Sequence, residues 1–298
     1  MKIGFIGLGK MGENMVLNLA SKGHKLVVSN RSPEPIKKLS KKNVTAVYEL
    51  KDMCSKLGGN KIIFIMVPEG KPVDSVLSVL KSDLSKGDIV VDGGNSYYED
   101  SIRRYGELRK LGVSFMDLGV SGGLEGARHG ASLMIGGDKS AFKKVEPIFR
   151  DLAEKDGYAY LGKSGAGHFV KIIHNGIEYG ILEAYAEGFE VLDKSNYDLD
   201  YEAVSRVWKN GSVIRSWLIE LAEKAFKKTD RLRKVPGVVG GGKTGMWAAK
   251  IAKKEGVEFV TLKHALSRRR ESKKKQSFGT KFIATMRNMF GGHMIEKG

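Results

Sequence analysis

Five side chains with complementary acid, base and hydrogen-bonding chemistry fall within one stretch of this 298-residue chain, GAGHFVKIIHNGIEYG from Gly165 to Gly180. Lys171, His174, Asn175 and Glu178 stand at i, i+3, i+4 and i+7, with Tyr179 at i+8. In a helix turning about 100° per residue they share one side. Between them run Phe169, Val170, Ile172, Ile173 and Ile177, the residues of a buried helix. Charged groups turned toward an interior are costly unless they are paired or line a polar cavity. Apolar neighbours favour the neutral, proton-accepting form of a lysine, and a carboxylic acid can deliver a proton. Lys171 and Glu178, with Asn175 beside them, are therefore candidates for a reaction that needs both a base and an acid. The plainer alternative is a surface pair of Lys171 with Glu178 and a His174 satisfied in the core.

A second constellation is built for phosphates. Gly7, Leu8, Gly9, Lys10, Met11 and Gly12 spell G-x-G-x-x-G directly after the apolar run KIGFIG and before a helical pattern. The first glycine permits the tight turn, the second lets backbone approach a pyrophosphate, and the third lets the helix pack on the strand. The helix N-terminus adds unpaired N–H groups and a positive dipole end. Where NAD-selective sites carry Asp or Glu, this chain has Asn30, Arg31 and Ser32. A guanidinium and a hydroxyl suit a ribose 2′-phosphate, so NADP is the expected cofactor, with NAD the alternative. Met11, Val67 and Asn95 are grouped with the glycines as cofactor contacts.

Strands are expected at Lys2–Gly7, Leu26–Ser29, Ile62–Val67, Ile89–Asp92 and Ser114–Leu118, with helices between them such as Val73–Leu80 and Asp100–Leu111. Uniformly apolar strands alternating with helices indicate a parallel sheet covered on both faces. The expected fold is thus a Rossmann-type, doubly wound α/β domain over residues 1–163, then an all-α domain over 164–298 with a C-terminal tail. The second domain opens on a helix from Gly167 to Leu192 and continues with helices at Tyr201–Val207, Val213–Lys227 and Met246–Glu255. Two glycine turns sit where open sheets place ligands, Gly93-Gly94-Asn95 after the expected strand Ile89–Asp92 and Ser121-Gly122-Gly123 after the expected strand Ser114–Leu118.

Composition narrows the class. An apolar fraction of 41% and a charged fraction of 29% belong to a folded chain. The single cysteine, Cys54, gives no internal disulfide. With no span-length apolar run and no signal-like N-terminus, the expected address is the cytoplasm, without membrane attachment. The net charge is +17, and from Lys224 onward 20 Lys and Arg face 5 Asp and Glu. That imbalance calls for an anionic partner. The basic stretch lacks aromatics interleaved for base stacking, which argues against nucleic acid and for a small anionic metabolite.

Taken together, GFIGLGKMGENMVLNL, NRS, DGGNSYYEDSIRR, GVSGGLEGARHGASLMIGGD, GAGHFVKIIHNGIEYG, WKNGSVIRSWL and MRNMFGGH resemble the 6-phosphogluconate dehydrogenase family in its short form, along nearly the whole chain. The resemblance implies oxidative decarboxylation of 6-phosphogluconate to ribulose 5-phosphate and CO₂, the NADP-linked step of the pentose phosphate route. It implies that Lys171 takes the 3-hydroxyl proton and returns one to the keto oxygen, and that Glu178 protonates C1 of the enediol. It assigns Asn95, Ser121, Gly122, Gly123, His174 and Asn175 to the sugar acid, and Tyr179, Arg269, Arg287 and His293 to its phosphate. No metal is implied, because the lysine polarises the carbonyl. It also implies a homodimer or homotetramer, with the tail of one subunit completing its neighbour's phosphate site.

Three features depart from the family pattern. Lys243 in GGGKTGMW is displaced by one position, SRRR leaves Arg268 and Arg270 as alternatives to Arg269, and Lys273–Lys275 replace a mixed-charge stretch. The competing enzyme reading is a 3-hydroxyisobutyrate-type β-hydroxyacid dehydrogenase acting on a smaller acid without phosphate.

Overall fold

The structure is a computed structural model describing residues 1–39, 43–229 and 231–295. It forms two compact units, Met1–Lys171 and Ile172–Gly298.

The first unit is built on eight strands: β1 (Lys2–Ile6), β2 (Lys25–Ser29), β3 (Val44–Ala46), β4 (Ile62–Ile65), β5 (Ile89–Asp92), β6 (Ser114–Ser121), β7 (Ala131–Gly137) and β8 (Ala153–Gly162). They lie in the order β3-β2-β1-β4-β5-β6-β7-β8. The first six pair in parallel, β7 runs antiparallel to β6, and β8 is parallel to β7. The five strands expected from the sequence pair in parallel, and the antiparallel step falls beyond them, at β7. Its physical reason is the short helix between β6 and β7, too brief a connection to carry the chain back across the sheet for a parallel return.

Helices α1 (Lys10–Ser21), α2 (Pro33–Leu39), α3 (Met53–Leu57), α4 (Lys71–Leu80), α5 (Tyr98–Arg109), α6 (Gly123–His129) and α7 (Lys139–Leu152) connect the strands. Alternate strand residues enter opposite cores. Phe5, Phe64, Val91 and Met116 belong to one cluster with Met15, Leu19 and Phe149, while Ile6, Ile65, Val90 and Phe115 belong to another with Leu77 and Leu108. Burial on both faces is why these strands read as continuous apolar runs.

Helix α8 (Ala166–Asp193) runs through the boundary between the units. The second unit continues with α9 (Tyr201–Lys209), α10 (Trp217–Lys228), α11 (Lys243–Lys254), α12 (Val260–Glu271) and α13 (Phe278–Gly291). Its core centres on Phe189, whose ring packs on Phe282 at 5.0 Å, Phe226 at 5.1 Å and Trp208 at 5.3 Å between centroids. Among the described residues no helix is long and apolar enough to cross a membrane.

Three expectations change here. The helix expected from Val213 begins at Trp217, because the Ser216 side chain accepts from the Ile219 N–H and caps it, leaving Val213 in an exposed turn. Helix α8 is not buried all round: Val170, Ile177 and Ile181 are exposed, and its buried face is Ile172, Leu182, Ala186 and Phe189. The tail, expected to lie apart from the core, instead forms α13, with Phe282, Ile283 and Met286 in the core of its own unit. A capping box between Ser277 and Thr280 starts that helix immediately after the Lys run.

Candidate active site

In the first unit, the glycine loop joins β1 to α1 as the sequence requires. Gly7 has φ +100°, and a Cβ on it would lie 2.3 Å from the Met66 carbonyl oxygen. A Cβ on Gly12 would lie 2.1 Å from the Gly7 oxygen, so α1 sits directly on the loop. Gly9 is different, since no protein atom lies within 4 Å of its added Cβ. The space beside Gly9 is therefore not filled by protein packing, which fits a glycine kept for close approach of a pyrophosphate.

Asn30, expected to touch cofactor, spends its side chain on the loop. Its Oδ1 accepts from the Leu8 N–H at 2.9 Å, and its Nδ2 donates to the Ser32 carbonyl at 3.0 Å. Arg31 and Ser32 are exposed just beyond β2. The residues present fit a nicotinamide dinucleotide.

The DGGN turn after β5 rests on a buried polar framework that the sequence did not announce. Arg104 of α5 is wholly buried; its Nη1 donates to Asp92 Oδ2 at 3.2 Å and Ser96 Oγ at 3.1 Å, its Nη2 to the Gly70 carbonyl at 3.0 Å, and its Nε to Asp74 Oδ1 at 2.8 Å. Asp92 also accepts from Ser96 Oγ at 2.8 Å and the Gly94 N–H at 3.0 Å. A Cβ on Gly94 would meet the Val67 carbonyl oxygen at 2.7 Å, which puts Val67 against this turn. Asn95 is thereby presented, exposed, from a rigid base. Burial pushes the Asp74 carboxyl up, but Arg104 and Arg103 outweigh it and hold the group below the usual carboxylate range. Ser121, Gly122 and Gly123 close β6 and open α6.

Lys171 is nine-tenths buried and packs over β6, where a Cβ on Gly119 would lie 2.5 Å from the lysine Cβ. Farther along the same helix His174, Asn175, Glu178 and Tyr179 are all partly exposed, and His174 Nδ1 lies 3.1 Å from Asn175 Oδ1.

In the second unit, Arg269 is chosen from the SRRR run by burial. It is 5% exposed, and its Cζ sits 3.5 Å from the centroid of the Tyr179 ring. Arg268 instead donates to Glu183 Oε1 at 3.0 Å and Glu190 Oε2 at 3.2 Å, while Arg270 is exposed. Burial lowers the Arg269 pKa; the charge of Arg287 lowers it further, and Tyr179 and Glu178 act the other way. Its Nη1 is buried with no hydrogen-bond partner. The Arg287 guanidinium comes to the α11 loop of its own chain, where a Cβ on Gly241 would lie 2.7 Å from Nη2. Gly245, in the first turn of α11, packs on Tyr179, whose ring lies 2.5 Å from its added Cβ. Arg269 thus sits on Tyr179, and Arg287 on the loop that leads into the helix packed against that ring. The tail helix that brings Arg287 here packs its apolar face into the Phe189 core of its own unit.

His293 follows the end of α13, its ring 6.3 Å from the Phe290 ring. It is exposed and turns back on the end of α13, its carbonyl accepting from Asn288 Nδ2 at 2.9 Å. Lys243 begins α11, its Nζ 5.3 Å from the Trp247 ring. Lys273–Lys275 are exposed. Among the described residues, one grouping has metal-ligand spacing, Glu183, Glu187 and His264. There His264 Nε2 lies 2.9 Å from Glu187 Oε1 and Arg268 holds Glu183, so the charges are already matched by protein.

A β3-β2-β1-β4-β5-β6 sheet with a glycine loop at β1, joined to a helical unit through a helix bearing a buried lysine, defines the class of dinucleotide-dependent dehydrogenases. Residues 2–162 match the NAD binding domain of 6-phosphogluconate dehydrogenase, and residues 167–280 match the 6-phosphogluconate dehydrogenase C-terminal domain. The chain belongs to the 6-phosphogluconate dehydrogenase family, whose members are decarboxylating oxidoreductases. It is 44% identical over 297 residues to the Bacillus subtilis protein YqeC, provisionally named a 6-phosphogluconate dehydrogenase, with each chain covered in full. It is 39% identical over 299 residues to a Haloferax volcanii protein named an NAD(+)-dependent, decarboxylating 6-phosphogluconate dehydrogenase, covering 100% of this chain and 99% of that one. Among solved structures it resembles Plasmodium falciparum 6-phosphogluconate dehydrogenase, described with NADP+ and with 6-phosphogluconate, at a TM-score of 0.83 and 32% identity. That match covers 91% of this chain and 62% of the Plasmodium chain.

Proposed function

We propose that this protein oxidatively decarboxylates 6-phosphogluconate to ribulose 5-phosphate and CO₂, with NADP as the preferred cofactor. The observation that carries the reading is the buried Arg269, stacked on Tyr179, with an unpartnered Nη1 and a second guanidinium, Arg287, near enough to depress its pKa. Like charges held together in low dielectric call for an anion to offset them. A phosphorylated acid supplies one, whereas the smaller acid of the 3-hydroxyisobutyrate reading has no phosphate to place there.

Gly7, Gly9, Gly12 and Met11 hold the dinucleotide phosphates, and Arg31 with Ser32 takes the 2′-phosphate. The bound dinucleotide supplies the hydride acceptor. Lys171 accepts the proton of the substrate's 3-hydroxyl, then donates one to the 3-keto oxygen as the carboxylate departs as CO₂. Glu178, two turns along α8, delivers the proton to C1 of the enediol. Asn95, Ser121, Gly122, Gly123, His174 and Asn175 hold the sugar hydroxyls and carboxylate. Tyr179, Arg269 and Arg287 hold the phosphate, and His293 joins them at the chain end.

The exposed apolar stripe Val170, Ile177, Ile181 and Val191 on α8 supports self-association as a homodimer or homotetramer. The lone buried thiol, Cys54, suits a reducing cytoplasm. The test is absorbance of reduced nicotinamide with 6-phosphogluconate and either NADP or NAD, coupled to CO₂ release. Turnover with NADP and stoichiometric CO₂ is expected; oxidation of 3-hydroxyisobutyrate in preference to 6-phosphogluconate would overturn the assignment.

A further inference from the structure

Helix α8 has no side-chain cap of its own. Gly165 occupies the position before its first residue, with φ +94°, and offers no acceptor to the unpaired amides of the first turn. The cap comes instead from 48 residues earlier. Asp117, wholly buried in the middle of β6, accepts from the Gly165 N–H through Oδ1 at 2.7 Å and from the His168 N–H through Oδ2 at 2.9 Å. Among the described residues no basic side chain pairs with Asp117. Its charge is met by two amides and the positive end of a 28-residue helix.

The surroundings are cut to let the helix down onto the sheet. A Cβ on Gly136 of β7 would lie 2.6 Å from Asp117 Oδ1, and one on Gly167 would lie 2.5 Å from the Asp117 and Met134 carbonyl oxygens. Ser101 of α5 adds a side brace, its Oγ 2.7 Å from Nδ1 of the buried His168. Six residues after Gly165, on the same strand that carries the cap, Lys171 comes down over Gly119, two positions before Ser121.

We infer that Asp117 is a positioning residue for the reaction: by capping α8 from within β6 it fixes the axial register and rotation of the helix, and so the place of the Lys171 amine over the end of that strand. A slip of one residue would move the lysine by about 1.5 Å and 100°. A buried carboxylate is costly to keep for packing alone, whereas a cap drawn from the substrate-bearing strand ties the base to the surface it must serve. The inference rests on Lys171 being the base.

The test is Asp117→Asn, which keeps the volume and one acceptor but turns a donor toward one of the two amides. The folded variant should retain NADP affinity, since the β1–α1 loop is untouched, and show 6-phosphogluconate KM changed little. Its kcat should fall about tenfold to a hundredfold, the usual cost of a misplaced reacting group. In parallel, competitive acylation with acetic anhydride, read by mass spectrometry, should change the labelling rate of Lys171 relative to the surface lysines 273–275. Labelling needs no substrate, so it reports on the inference even if the enzyme proves to act on another acid. Unchanged kcat per cofactor-binding site together with unchanged Lys171 labelling would overturn the role and leave Asp117 a purely structural cap. Should Asp117→Asn not fold, Ser101→Ala carries the test through His168. A smaller kcat loss at constant NADP affinity, with altered Lys171 labelling, supports the inference, and neither change overturns it.

Discussion

The Arg269 guanidinium lies face-on over the Tyr179 ring, its carbon 3.5 Å from the ring centroid, while its buried Nη1 has no hydrogen-bond partner. A cation so placed is stabilised by the ring but remains short of an acceptor, and the proposed function supplies one in the substrate phosphate. Arg269→Met should therefore raise the KM for 6-phosphogluconate by roughly tenfold to a hundredfold, from the loss of a charge-assisted hydrogen bond of about 1.5–3 kcal/mol. The same change should hold or raise the melting temperature, because it removes an uncompensated buried charge. Steady-state kinetics and thermal denaturation of one variant check both.

The Arg287 guanidinium lies beside the Gly241 loop of its own chain, and the proposed function gives it the substrate phosphate. Lys171→Met and Arg287→Ala should each be nearly inactive, and a mixture of the two whose subunits are shown by mass measurement to exchange should regain activity through hybrid sites. Recovered activity in the hybrids would mean that the tail serves a neighbour.

Glu178→Gln should separate the chemical steps. The amide cannot protonate C1, so single-turnover NADPH formation should proceed near the wild-type rate while ribulose 5-phosphate release slows by about 10² to 10⁴. Rapid-quench analysis would show the enediol or its breakdown products accumulating.

Arg31 is exposed just beyond β2, and the proposed function gives it the 2′-phosphate. Arg31→Ala should weaken NADP by about tenfold to a hundredfold, at 1.5–3 kcal/mol for a charge-assisted bond, and leave NAD almost unaffected. Equal weakening of both cofactors in titration calorimetry would reduce Arg31 to a turn residue.

Arg104→Met should be severely destabilising, by about 3–5 kcal/mol, since it strands the wholly buried Asp92 without its cation. Asp74, the partly exposed end of the same framework, has a lowered pKa in the fold, so its contribution is present above the ordinary carboxylate pKa and lost as pH falls through the lowered value. The melting-temperature gap between wild type and Asp74→Asn should be widest near neutrality and close under acid. A gap independent of pH would exclude the ion pair as its source.

What the sequence alone determined was local and periodic. The glycine spacing at Gly7, Gly9 and Gly12, the two-sided apolar strands and the helical phasing of Lys171, Asn175 and Glu178 are each set within one turn or one strand, and the structure keeps them. Strands β7 and β8 escaped, since β8 is a half-exposed edge with mixed polarity whose pairing is fixed only by β7. Helix α12 escaped because its basic residues hide the few, Leu262 and Leu266, that a core recruits, and α13, with Phe282 and Met286 in the core, because it follows directly on a Lys run. The burial of Arg269 within SRRR, the approach of Arg287 to the Gly241 loop, the Arg104 framework and the Asp117 cap all join groups far apart in sequence. Their meaning lies in burial and distance, which only the packed chain supplies: a carboxylate is a cap, and an arginine a clamp, according to what tertiary structure leaves it to bond.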